Sequence, residues 1–362
     1  VNRRGLLLRP ERPLRVERTP RREPHPAPAS AVGYGSLRGE VVPVRASDGT
    51  ALHVEVDEAP DAAPDAPTVV FGHGYGLNLD AWHHQRAALR GRYRLVLWDH
   101  RGHGRSAQGP AGSGTIQQVG DDLHRVLAEV APRGPLALVG HSMGGMAIMA
   151  LAAAHPDLVT ERVRAVALVA TSAGGLAGVD HGIPVIGPWV ARAAPYALAL
   201  ALRGSGLVER GRRLTGEVEQ RLVRRWSYAS PVPQELSRFT AAMVTSTRLE
   251  VISDFLPTFS THDEREALAA LAGREVLVLA GERDLMTPAS HSAEIAELLP
   301  GSRFVLVRSA GHLLMLEHPA IVNPRLLRLL ERACGPGRGA PVPAEVVSPV
   351  LRQRRRTPRR RR

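Results

Sequence analysis

The chain has no lysine: all 47 of its basic residues are arginine. That absence excludes a Walker-type phosphate loop, whose lysine reaches the β- and γ-phosphates. It also argues against nucleic-acid contact as the source of the basic excess, because lysine contacts phosphate well. A GC-rich coding sequence produces the same bias, together with abundant Ala, Gly and Pro. The single cysteine, Cys334, excludes an intrachain disulfide framework. Aromatic residues make up only 4% of the chain, too few for a base-stacking platform. There is no run of eighteen uncharged apolar residues, so no segment reads as a transmembrane helix. Leu6–Leu8 is too short for the apolar stretch of a signal peptide, and the chain as it stands reads as cytoplasmic.

The formal charge of +12 is carried by the two ends. Residues 1–30 hold eight Arg against three Glu, and residues 335–362 hold nine Arg against one Glu, which leaves the stretch between near neutrality. Both ends are rich in Pro and lack apolar periodicity, so residues 1–34 and 335–362 are expected to be disordered tails. Polybasic tails attract phosphate, which makes a non-catalytic nucleic-acid or anionic-membrane binder the rival reading from another class. The tails carry no interleaved aromatics, and no specific nucleic acid is expected as a partner.

Between the tails, strands and helices alternate. Glu40–Arg45 and Leu52–Asp57 flank Asp48 and Gly49 and predict a hairpin. Short Val- and Leu-rich runs follow at Thr68–Phe71, Arg94–Trp98, Leu136–Val139, Val163–Ala170, Val276–Ala280 and Phe304–Val307. Such runs without alternation are those of strands buried on both faces. Helical patterns at Thr115–Val130 and Met143–Ala154 lie between them, the second ending before Pro156. The alternation predicts an α/β fold, a mostly parallel sheet of about eight strands flanked by helices over residues 35–334. It lapses between about 172 and 265, which reads as a helical insertion.

Gly140-His141-Ser142-Met143-Gly144 follows one predicted strand and opens a helix. This is the pattern of a sharp turn that lifts a nucleophilic serine above a sheet, with glycines where side chains would collide with neighbouring backbone. A serine hydroxyl needs a base. His312, in Ser309-Ala310-Gly311-His312, follows the last predicted strand and is the candidate. The imidazolium needs an orienting carboxylate. Asp284 follows the strand ending at Ala280, and its loop is fixed by Pro288; Glu282, two residues earlier, is the rival. The oxyanion of acyl transfer needs N–H donors. Met143 offers one at the helix N-terminus, and the loop Gly72-His73-Gly74-Tyr75-Gly76 is placed to offer the second. That loop does not match the glycine spacing of a dinucleotide site. His73, His83 and His84 show no repeated ligand spacing, so neither metal nor cofactor is expected.

In these motifs, taken with Trp98-Asp-His-Arg-Gly-His-Gly-Arg-Ser106, the chain resembles the α/β-hydrolase superfamily in its esterase, lipase and haloperoxidase-like branch. The resemblance spans about residues 35–334. It implies a catalytic triad of Ser142, His312 and Asp284, an oxyanion hole of the Tyr75 and Met143 amides, and a helical cap matching the insertion. It implies that Asp99 and Arg101 shape a loop. The expected substrate is a small, lipophilic, ester-like molecule; lactone, thioester or C–C bond hydrolysis and perhydrolysis are the alternatives for the same triad. Ser rather than Asp at the elbow argues against epoxide and haloalkane substrates.

Overall fold

In a computed structural model that describes residues 33–63, 66–178, 221–334 and 345–348, the chain opens on the expected hairpin. Strands β1 (Glu40–Arg45) and β2 (Ala51–Asp57) pair antiparallel, with Glu40 opposite Val56 and Arg45 opposite Ala51. Seven further strands follow: β3 (Thr68–Gly72), β4 (Leu95–Trp98), β5 (Leu136–His141), β6 (Val163–Val169), β7 (Glu275–Gly281), β8 (Arg303–Val307) and β9 (Glu345–Val347). Their order is β1-β2-β4-β3-β5-β6-β7-β8-β9. The hairpin joins β4 antiparallel, and every pair from β4 to β9 is parallel.

The described helices are α1 (His83–Leu89), α2 (Ile116–Val130), α3 (Met143–Ala154), α4 (Pro156–Arg162), α5 (Gln234–Ser246), α6 (Leu249–Phe255), α7 (Thr258–Thr261), α8 (Ala289–Leu298), α9 (Leu314–Glu317) and α10 (Pro319–Cys334). None of the described helices is long and apolar enough to cross a membrane. Helices cover both faces of the sheet, which explains the unbroken apolar runs. Leu136 and Leu138 of β5 pack with α2 and α3, whereas Ala137 and Val139 pack with Leu89 of α1 and Leu326 and Leu330 of α10. On α2, Ile116, Val119, Leu123, Val126, Leu127 and Val130 form one buried stripe, and the Thr115 hydroxyl caps the helix by accepting the Gln118 amide at 3.1 Å. Helix α3 is buried from Met143 to Ala152 because it is wedged between the sheet and α2. It stops at His155, and Pro156 starts α4, where proline's missing N–H costs nothing.

The chain passes from β3 out to β4 and back across to β5. The sheet therefore changes direction at β3, and Gly72 at its end lies opposite Gly140 of β5. A parallel sheet places ligands outside the carboxyl ends of strands at such a switch point. The insertion between β6 and β7 contributes α5, α6, α7 and a helical stretch at 221–227, and an isolated bridge between Gly174 and Asp263 closes its base. The apolar stretch Ile183–Leu202 lies outside the described residues.

The structure departs from the sequence expectation at both boundaries. Composition assigns residues 335–362 wholly to a tail, yet Glu345–Val347 form a ninth strand on the edge of β8. An open edge offers unpaired N–H and C=O groups to any extended segment. The Arg308 amide donates to the Val347 carbonyl at 2.7 Å, and the Arg325 guanidinium pairs with Glu345 at 2.5 Å. At the other end, Tyr34 stacks on Phe239 with ring centroids 5.3 Å apart and also meets His83 and His84. Residues 1–32, 335–344 and 349–362, where the remaining tail expectation falls, lie outside the described residues.

Candidate active site

Ser142 sits between β5 and α3 with φ 51° and ψ −117°. A non-glycine residue with positive φ is strained, on the order of 1–3 kcal/mol, and persists only where its surroundings fix it. Four bonds do so. Its N–H donates to Val169 O at 3.0 Å, and its carbonyl accepts the Gly145 amide, the Met146 amide and, at 2.7 Å, the Thr171 hydroxyl. The flanking glycines are sterically required. A Cβ on Gly140 would lie 2.5 Å from Gly144 O, and one on Gly144 would collide with the Gly72 carbonyl group. The turn is thus held against the end of β3 as tightly as backbones can approach.

The loop after β3 runs beside this turn: a Cβ on Gly74 would be 3.3 Å from Ser142 Cβ. His73 secures the loop. Its Nε2 accepts the His100 amide at 2.9 Å, leaving Nδ1 to donate to Gly74 O at 2.8 Å. Both ring nitrogens are thereby committed to backbone groups. Tyr75 directs its ring into the insertion, between Phe259 of α7 at 5.1 Å and His103 at 6.0 Å, and its hydroxyl donates to Ile252 O of α6 at 2.5 Å. Met143 is the first residue of α3, where helix amides have no partner within the helix and the dipole favours negative charge.

His312 and Asp284 come together from loops after neighbouring strands. His312 Nδ1 is 2.8 Å from Asp284 Oδ2, and both side chains are buried. The carboxylate is held from all sides: Oδ1 accepts the amides of Met286 (2.7 Å) and Thr287 (2.9 Å), while the Thr287 hydroxyl donates to Oδ2 at 2.9 Å. Glu282 faces elsewhere and accepts the Ser309 amide at 3.1 Å. The His312 loop is joined to the serine turn through His141, whose Nε2–H donates to the His312 carbonyl at 3.0 Å. The two imidazole rings are 4.7 Å apart.

The surroundings are electrically quiet. Burial holds the His73, His100 and His141 rings well below the usual imidazole range and takes His103 down to about 4, so all four are neutral at pH 7. The motif after β4 is structural. Burial pushes the Asp99 carboxyl up to about 6, and it accepts the amides of Leu79 and Arg105. Arg101 clamps Asp122 and Asp48 with contacts of 2.6–2.7 Å. Sequence reasoning missed Thr171 and Thr287. Neither has a motif; the only signal for Thr287 is its place between Asp284 and Pro288.

A sequence profile described as the alpha/beta hydrolase fold matches residues 67–319. The chain is 28% identical over 285 residues to a Caulobacter protein named as the carbamate hydrolase RutD, covering 77% of this chain and 95% of that one. It is also 28% identical over 270 residues to the pimeloyl-[acyl-carrier protein] methyl ester esterase of Salmonella newport, covering 72% and 93%. Among solved structures, a thermophilic esterase from Thermogutta terrifontis superposes with a TM-score of 0.64 at 24% identity, covering 82% of this chain and all of that one.

Proposed function

From the premise that the chain belongs to the α/β-hydrolase fold family and is a hydrolase, we propose that it cleaves carboxylic esters of small lipophilic substrates through an acyl-enzyme on Ser142. The observation that carries this reading is the buried His312–Asp284 pair at 2.8 Å, joined through His141 to the strained turn that presents Ser142. In the proposed reaction the Ser142 hydroxyl oxygen attacks the acyl carbon while His312 Nε2 takes its proton. The Asp284 carboxylate stabilises the imidazolium and fixes its tautomer. The negative charge on the acyl oxygen meets the amides of Met143 and Tyr75. The imidazolium returns its proton to the departing alkoxide, and a water, deprotonated by the same His312, hydrolyses the acyl-serine.

The substrate class rests on two features. Tyr75, Phe255 and Phe259 form an aromatic group where the insertion meets the loop after β3. The buried histidines are neutral, so they offer no cation to an anionic substrate. The relatives are named for a carbamate and for a methyl ester, both of which contain acyl bonds. The test is labelling by an active-site-directed phosphonate, wild type beside Ser142→Ala, with turnover of aryl esters of increasing chain length. Ser142→Ala is expected to fold, to escape labelling and to lose essentially all turnover. Ester hydrolysis near the wild-type rate in the pure variant would falsify the assignment.

A further inference from the structure

Glu317, the last residue of α9, carries a carboxylate whose side chain is 0% exposed and makes no contact with the serine, the base or Asp284 in the proposed reaction. Its hydrogen bonds divide between two segments. One oxygen accepts the amides of Ala229 at 2.9 Å and Ser230 at 2.5 Å, both in the insertion. The other accepts the amide of Gly311 at 2.6 Å, the residue directly before His312. On the far side of the base, the Leu313 amide donates to Ser227 O at 2.9 Å. His312 is therefore tied to residues 227–230 on both sides, through Glu317 at Gly311 and directly at Leu313. The approach is close enough to demand glycine: a Cβ at position 311 would lie 2.7 Å from Ser227 O and 2.9 Å from Ala229 N.

A buried carboxylate is costly unless fully hydrogen-bonded, and three backbone donors satisfy this one. An apolar side chain could fill the same space without that requirement. What the carboxylate supplies is a two-ended acceptor, which neutral side chains lack: glutamine offers one oxygen and one NH2 group, and the latter faces an amide donor. The base itself is held to Asp284 by a single contact, so its loop needs support from elsewhere to keep Nε2 in line.

We propose that Glu317 is a positioning residue for the base, fixing the His312 loop to residues 229–230 of the insertion so that the insertion's placement sets the aim of the imidazole. This rests on the reading of His312 as base. A misplacement of about 1 Å can cost on the order of a hundredfold in rate, even from a residue outside the chemistry.

The experiment measures aryl ester kcat and KM for Glu317→Gln, its melting temperature, and the low-field proton resonance of the His312 Nδ1–H bonded to Asp284. Expected are a kcat lower by about ten- to a hundredfold, a KM within about threefold, and a shifted or broadened imidazole resonance in a folded protein. Gly311→Ala opens the same joint with the carboxylate intact and gives the same pattern; it also serves if Glu317→Gln does not fold. An unchanged kcat and resonance in either folded variant overturns the proposal, as does a loss confined to the melting temperature or to KM. Failure of the ester reading is distinguishable, because it registers as surviving turnover in Ser142→Ala, whereas the resonance reports on the base loop whatever the reaction.

Discussion

Asp284 and Glu282 stand two residues apart on one loop and face different partners. Only Asp284 reaches His312, and its carboxylate is fixed by two amides and a hydroxyl before the histidine contributes anything. Glu282 binds the Ser309 amide of the adjacent loop. Asp284→Asn is therefore expected to lower turnover by roughly 10²- to 10⁴-fold, since an amide can favour the wrong imidazole tautomer and cannot stabilise the imidazolium. Glu282→Gln keeps an acceptor for Ser309 and should change turnover by less than about tenfold, equivalent to about 1.4 kcal/mol. Steady-state turnover of the two variants decides between them, and the reverse ranking would move the orienting acid to Glu282. That Asp284 rather than Glu282 lies against His312 is legible in the sequence through Pro288, which shapes the loop. The Thr287 hydroxyl was not, because a threonine that bonds a carboxylate three residues back looks like any other loop threonine until the turn is folded.

The sheet shows why some elements could be read and others not. Strands β3, β5, β6, β7 and β8 announce themselves because they are buried on both faces over most of their length, which makes most of their residues apolar. Strand β9 has three half-buried residues in a stretch punctuated by Pro341, Pro343 and Pro349, so composition alone argues for a tail. Only the open edge of β8 makes it a strand, and that edge exists only after the other strands have assembled. A chain truncated after Ser348 should melt like the full chain. One truncated after Cys334 loses the pairing with β8 and the Arg325–Glu345 contact, and is expected to melt a few degrees lower, a loss of about 1–2 kcal/mol. It should also self-associate more readily through the uncovered edge. Differential scanning calorimetry and sedimentation of the two truncations test this; equal melting temperatures would mean that β9 contributes no stability.

Across the whole molecule, the buried histidines couple stability to pH. His73, His100, His103 and His141 are neutral in the fold because burial lowers their affinity for protons, with His103 at about 4. In the unfolded chain each ionises near the ordinary 6.5. The unfolded state therefore binds more protons in the window from about 6.5 down to 4, so this stability is present above 6.5 and is lost as pH falls. Each histidine contributes a slope of about 1.4 kcal/mol per pH unit well inside the window. Asp99 acts in the opposite sense. Its carboxyl, raised to about 6 from 3.8, favours the fold below 3.8, and that contribution is lost as pH rises through 6, offsetting about one histidine's proton. The histidines dominate by number, so denaturant midpoints should fall steeply from pH 6.5 to 4.5. His100 isolates the effect. Neither of its ring nitrogens has a hydrogen-bond partner among the described residues, and its ring lies between His73 at 4.0 Å and Trp98 at 4.5 Å. His100→Phe keeps a ring in that stack and removes the titrating group, so the variant's stability should fall with pH by about one proton's slope less than wild type. Identical slopes would show that His100 does not bind its proton on unfolding.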